Sequence, residues 1–240
     1  DGMKLGGSMK KSVLLLVGTA SLLIAGSAHA QDNSAGSWGL SGDIGVVSDY
    51  QYRGYSLSGS DPAVQGGLTV TSPGGYYATV WGSEIEETGI GADGDGAQVE
   101  VDLTLGRTFS SHGWDWDVAV VRYGYPDGSG LDYFEVPLSA AHTRGAVTTT
   151  LGAAYAPKQN NLGDEDNLYL YVGGAYAPSH WPVSVNAQVG HEQGAFADGK
   201  MDWQLCLSKD VGPVSLTLLY SDSDGPGSES SLVGGISIGF

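Results

Sequence analysis

Positive charge is what this chain of 240 residues has least of: Lys and Arg together number 10 against 27 Asp and Glu, a net charge of −17. That balance excludes nucleic acid as a partner, because a polyphosphate needs a basic footprint. Cysteine occurs once, at Cys206, so there is no internal disulfide framework and no thiol-based metal site. Its plain reading is a small half-buried strand residue. No cofactor and no metal is expected. Phenylalanine is scarce at 4 residues, whereas Tyr stands at 13 and Trp at 6. Aromatics with a polar edge are therefore favoured, as they are where apolar and aqueous phases meet. Long apolar runs are missing after residue 30, and no helical period is visible, so a membrane-spanning helix is not expected.

What is present begins with a leader. Residues 1–8 carry no pattern. From Met9 the text reads as a secretory signal: Lys10-Lys11, an apolar run from Val13 to Ala25, then Ala28-His29-Ala30 as a small-x-small cleavage site. Residues 9–30 are expected to be removed, which leaves 31–240 as one domain. Without the leader's three lysines and one aspartate, 7 basic and 26 acidic residues remain, a net −19.

The remainder reads as strand after strand. Twelve are expected, over 38–50, 63–72, 76–84, 98–109, 114–125, 132–143, 146–157, 167–178, 182–191, 201–210, 213–221 and 231–240. The fourth shows the pattern best: Val99, Val101, Leu103 and Leu105 fall on one parity, Gln98, Glu100, Asp102 and Thr104 on the other. In the sixth, Pro137 removes a ladder donor and suggests a bulge. Most segments approach the roughly 9–11 residues that cross a bilayer at a tilt. Connectors after even-numbered strands are tight, such as Pro73-Gly74-Gly75 and Thr143-Arg144-Gly145. Those after odd-numbered strands (51–62, 85–97, 126–131, 158–166, 192–200 and 222–230) are mostly longer and polar. Short turns at one end and long loops at the other mark a transmembrane barrel.

The aromatics sort by height as well. Trp38, Tyr76, Phe109, Trp114, Trp116, Tyr176 and Trp181 lie at the short-turn end. Tyr50, Tyr52, Trp81, Tyr123, Tyr125, Tyr133, Tyr169, Tyr171, Trp203 and Tyr220 lie towards the long loops, as two interfacial girdles would. The last stretch, Ser230 to Phe240, alternates Leu232, Ile236, Ile238 and Phe240 with Gly235, Ser237 and Gly239. An apolar edge strand is safe only if it is paired, and closure onto the first strand achieves that. The expected fold is all-β, a 12-stranded antiparallel up-and-down transmembrane β-barrel. An exported β-sandwich, whose strands also alternate, is the rival.

Ser48-Asp49-Tyr50-Gln51-Tyr52-Arg53-Gly54 resembles a motif of the TorF family of porins, small proteobacterial outer-membrane barrels. The likeness continues through Asp61-Pro62-Ala63-Val64-Gln65-Gly66-Gly67, Gly75-Tyr76-Tyr77, Trp81-Gly82-Ser83, Glu100-Val101-Asp102, Tyr123-Gly124-Tyr125-Pro126 and Tyr133-Phe134-Glu135-Val136. Asp127 departs from the glycine that family members tend to have there. The resemblance implies an outer-membrane location and a pore. Phe240 also resembles the terminal signal that the barrel assembly machinery reads.

A charge at the lipid-facing midplane costs about 2–4 kcal/mol for Arg or Lys. The acidic strand residues Asp43, Glu100, Asp102, Asp115, Asp117 and Glu135 are therefore expected to face the lumen, with Asp49 and Arg53 near its long-loop end. Such a wall implies a narrow hydrated channel for small solutes, favouring cations. Tyr133 and Gln188 would narrow it, and polar groups that bond one another would plug it. Arg53 admits two readings, a guanidinium facing acids across the lumen or a rim salt bridge ordering the first long loop. Arg107 and Arg122, on the apolar parity near strand ends, read as snorkelling to head-groups. The long loops are acidic. Asp93-Gly94-Asp95-Gly96 hints at calcium, but Ala97 stands where a third oxygen ligand belongs. Solvated charge, bridged to lipopolysaccharide phosphates by divalent cations, is the better reading. The alternative of a different class is a barrel enzyme acting on lipids. Its candidate histidines are His142 and His191, the latter beside Glu192, and neither sits in a recognisable motif.

Overall fold

The computed structural model describes residues 37–86, 97–126, 128 and 130–240. The leader, its cleavage site, Glu87, Asp93, Asp95 and Asp127 lie outside the described residues. Fourteen strands follow in order: β1 (Gly39–Val47), β2 (Gln51–Tyr52), β3 (Tyr55–Ser56), β4 (Ala63–Thr71), β5 (Tyr76–Glu84), β6 (Val99–Ser111), β7 (Trp114–Gly124), β8 (Tyr133–Arg144), β9 (Val147–Ala156), β10 (Asn167–Tyr176), β11 (Ser184–Gly194), β12 (Ala197–Val211), β13 (Val214–Ser223) and β14 (Ser231–Gly239). Twelve of them form a closed antiparallel barrel, each beside its neighbour in sequence, and β1 pairs with β14 to complete it. β2 and β3 form a separate two-stranded hairpin.

The barrel is inside-out by the standard of a water-soluble protein. Leu105 is 67 % exposed on its outer face, while Glu100 on the same strand is 1 % exposed. The row Leu68, Val80, Leu103, Val120, Leu138, Leu151, Leu170, Leu205, Leu218 and Ile236 is exposed around the outside. Buried aliphatic groups are few, and the interior instead holds Asp, Glu, Ser, Gln and Tyr. A sandwich would bury the aliphatic rows, so that alternative falls. The outer face suits hydrocarbon and leaves no open sheet edge.

Three expectations about the strands and their connections need correction. The first strand stops at Val47, not at 50, because the chain turns inward there to make the hairpin. The stretch 192–200 is not a long loop: β11 runs to Gly194 and β12 starts at Ala197, with an irregularity between Glu192 and Gln193 and a positive φ at Gly194. Glu192 and Lys200 thereby become wall residues. Pro137 makes no bulge. The β7–β8 ladder skips the pairs around it, and the register is the same on both sides.

The girdle at the short-turn end stands, with Trp38, Tyr76, Tyr176 and Trp181 exposed outside and Phe109 stacked on Trp116. The girdle at the other end does not. Tyr50, Tyr123, Tyr125, Tyr133 and Tyr169 are buried in the interior, with Tyr52, Trp81 and Tyr171 partly buried on the same side. Height along a strand was legible in the sequence, but face was not honoured: Tyr123 and Tyr133 lie on the parity of the carboxylates Asp117 and Glu135 of their own strands. Trp203 and Tyr220 remain outside.

Candidate functional site

After Val47 the chain leaves the wall and enters the lumen. Asp49, 3 % exposed, organises the excursion by accepting hydrogen bonds from Gln51, Ser56 at 2.6 Å, Ser58 at 3.1 Å and Ser231 at 2.9 Å. The hairpin pairs Gln51 with Ser56 and Tyr52 with Tyr55. Its two-residue tip is Arg53-Gly54, with φ of 48° and 81°. Positive φ at both positions suits a two-residue hairpin turn, natural for Gly54 and unusual for an arginine. The tip presses against β13, where a Cβ on Gly54 would stand 2.5 Å from that of Ser223.

The strain at Arg53 is offset by what its side chain meets. Nη2 donates to both oxygens of Glu135 at 2.8 Å, and Nη1 donates to Oε1 of Glu192 at 2.7 Å. Its guanidinium lies 4.3 Å from the Tyr169 ring centre and 4.8 Å from that of Tyr52. Lys200 Nζ donates to Glu192 Oε2 at 2.8 Å and to the Arg53 carbonyl at 2.5 Å. Asn167 donates to Glu192, and the Tyr123 hydroxyl donates to Glu135. One side chain from the hairpin thus ties the β1 side of the barrel to β8 and β11, and β12 joins through Lys200. Buried charges of this kind persist only when paired and hydrogen-bonded throughout.

A second acidic group sits on β6. The Tyr50 and Tyr125 hydroxyls donate to Glu100 at 3.1 and 3.3 Å. Asp102, two residues further along the same face of the strand, is 3 % exposed. Nearer the short turns the lumen is lined by Gly, Ser, Thr and a few larger polar groups. There Tyr77 donates to Asp117, whereas Tyr169, beside the Arg53 guanidinium, donates to Asp202. The Tyr77 and Tyr171 rings lie over Gly106 and Gly152 on adjacent strands, where a Cβ would come within 2.4 and 2.1 Å of them. The rings lie flat along the wall because no side chain lifts them.

A family profile described as "Bacterial protein of unknown function (Gcw_chp)" matches residues 31–235. The chain belongs to that family. No curated protein matches the sequence. Among solved structures, the Gcw_chp chain is similar to the KdgM porin, at 7 % identity and a TM-score of 0.58 over 83 % of this chain and 98 % of that one. A KdgM porin in complex with disordered oligogalacturonate gives 5 % identity and 0.56, over 84 % and 97 %. The COG4313 outer membrane channel from Pseudomonas putida F1 gives 11 % identity and 0.50, over 87 % and 98 %. At such identities the likeness is one of fold.

The residues singled out in the Gcw_chp sequence fall in four places. Asp49, Arg53 and Glu135 belong to the hairpin and its cross-lumen pairs, and Glu100 and Asp102 form the separate acidic group. Asp43 and Asp117 face the interior below them. Asp115 shares their parity but is exposed at the short-turn rim, where Ser110 donates to it at 2.6 Å. Arg53 crosses the lumen; it is not a rim contact. Glu192, Lys200 and Asp202 were missed as a group. The signal was there: Glu192, Lys200 and Asp202 are polar residues at the lumen positions of two strands, but an assumed long loop took the first two out of the wall.

Arg122 is paired with Asp132 at the rim, both partly exposed. Arg107 is outside, 4.9 Å over the Tyr76 ring. The histidines do not build a catalytic pair. His142 Nδ1 lies 2.8 Å from the Gly113 carbonyl and its ring rests on Trp114. His191 is exposed outside while its neighbour Glu192 points in, as alternate strand residues must.

Proposed function

We propose that this Gcw_chp protein is an outer-membrane channel of the porin type, passing small hydrophilic solutes by passive diffusion and favouring cations. The observation that carries the reading is the pairing of an apolar outer belt with a charged interior narrowed at its long-loop end by the Arg53 hairpin. Carboxylates outnumber bases inside: Asp43, Asp49, Glu100, Asp102, Asp117, Glu135, Glu192 and Asp202 stand against Arg53 and Lys200. A wall of that sign lowers the energy of cations relative to anions. The hairpin motif likened to the TorF porins is the element that sets the constriction. Export with cleavage of residues 9–30, delivery by the barrel assembly machinery through Phe240, and contact of the acidic loops with lipopolysaccharide complete the proposal. It is a channel and not an enzyme.

The test is a planar-bilayer recording of refolded protein under a potassium chloride gradient. Discrete conductance steps with a reversal potential of cationic sign are expected. Silence, or an anionic reversal potential, overturns the reading. One observation favours a second reading, a barrel held shut: the hairpin, Arg53 and Lys200 form a bonded network across the lumen. A silent wild type that conducts once Arg53 is replaced would establish it.

A further inference from the structure

At the long-loop end the hairpin does not fill the barrel. A cavity of about 550 Å3 remains, and Tyr52, Tyr55, Tyr123, Tyr125, Tyr133 and Phe196 surround much of it. These rings brace one another. Tyr123 stacks on Tyr133 with centres 4.5 Å apart, and Phe196 meets Tyr133 edge-on at 5.2 Å. Aromatic faces carry negative charge density and attract cations, most strongly where water is excluded.

Four charged side chains also reach this cavity: Arg53, Glu192, Lys200 and Glu100. The first three neutralise one another together with Glu135, and the Arg53 and Lys200 side chains are 5 % and 1 % exposed. Glu100 differs. Its hydrogen-bond partners are two tyrosine hydroxyls, Asp102 stands two residues along on the same buried face, and neither acid has a basic partner among the described residues. One oxygen of Asp102 has no hydrogen-bond partner. Two neighbouring buried carboxyl groups without a base favour a positive charge beside them.

We propose that this cavity is a binding site for an organic cation, its ammonium-type head held by Glu100 with Asp102 behind it and its apolar body packed among the tyrosines. The inference rests on the channel reading only for what happens to the solute afterwards; binding itself does not require passage.

The experiment is calorimetry on the full barrel in a non-ionic detergent, with phenyltrimethylammonium as probe. Benzenesulfonate and benzyl alcohol serve as anionic and neutral counterparts of like size. The cation should bind, each counterpart should bind at least about tenfold more weakly, and Glu100→Gln should weaken the cation by about tenfold, a loss of about 1.4 kcal/mol. Asp102→Asn should weaken the cation too, but less than Glu100→Gln. Folding of each variant is read from heat-modifiable gel migration, and the comparison of the three probes on the wild type stands even if a variant fails to fold. Equal binding of all three probes, or no binding of the cation, overturns the proposal. A barrel that binds the cation yet never conducts would sink the channel reading and leave this one standing. One that conducts but ignores the probe does the reverse.

Discussion

Arg53 carries an unusual concentration of roles for one side chain. It is the tip of the inward hairpin, the counter-ion of two buried glutamates and a cation over two tyrosine rings. Removing one member of a buried ion pair costs about 3–5 kcal/mol, since the remaining charge is left uncompensated. Arg53→Ala is therefore expected to lower the unfolding midpoint in detergent and to raise single-channel conductance, because nothing then holds the tip against β8 and β11. Arg53→Lys should not restore the wild type. A lysine cannot serve both oxygens of Glu135 and one of Glu192 with a planar fork. Parallel unfolding and conductance measurements on the two variants check this. Gly54 gives a separate test at the same turn. Alanine there meets both a positive φ and the side chain of Ser223. Gly54→Ala should thus displace the hairpin and widen the conductance distribution while leaving every charge in place.

At the level of the strand, the sequence was legible to a degree set by its alternation. The segment 76–84 was read to the residue, and most others to within one or two, because each strand carries an aliphatic parity that only one register can present outward. The hairpin of β2 and β3 was not legible. It has too few residues for a period, and it is held by hydroxyl contacts to Asp49 from partners as distant as Ser231. Nor was the tyrosine placement legible, since a ring with a hydroxyl satisfies a lipid interface and a carboxylate-lined lumen equally well. A carboxylate on the same parity turns Tyr123 and Tyr133 inward, but β10 carries none to mark Tyr169, and Tyr220 stays outside although Asp222 shares its parity. Strand facing also yields a stability test. Leu105 lies midway along β6 on the outer face, so Leu105→Arg should destabilise the protein by about 2–4 kcal/mol in liposomes. Denaturant titration measures it, and the same change at Thr104, which faces the lumen, should cost less.

For the molecule as a whole, the seam that joins β1 to β14 sets how the cylinder behaves under stress. It carries five residue pairs, Asp43–Gly239 to Val47–Gly235, where β11 and β12 share eleven. Main-chain bonds between Gly42 and Phe240 and from Ser48 to Gly234 extend it at both ends. The Phe240 ring covers Gly42 where a Cβ would collide with it at 2.6 Å. Amides of residues 43–47 should exchange with deuterium sooner than those of β11 and β12 in native-state measurements, since local opening follows the thinnest ladder. The hairpin springs from β1, on one side of this joint, and its arginine is clamped to staves on the opposite arc. Prying the joint apart therefore also strains the internal brace. The barrel is thus held like a hoop with a crossbar, and a solute large enough to dislodge the bar would loosen the hoop at its thinnest rivets.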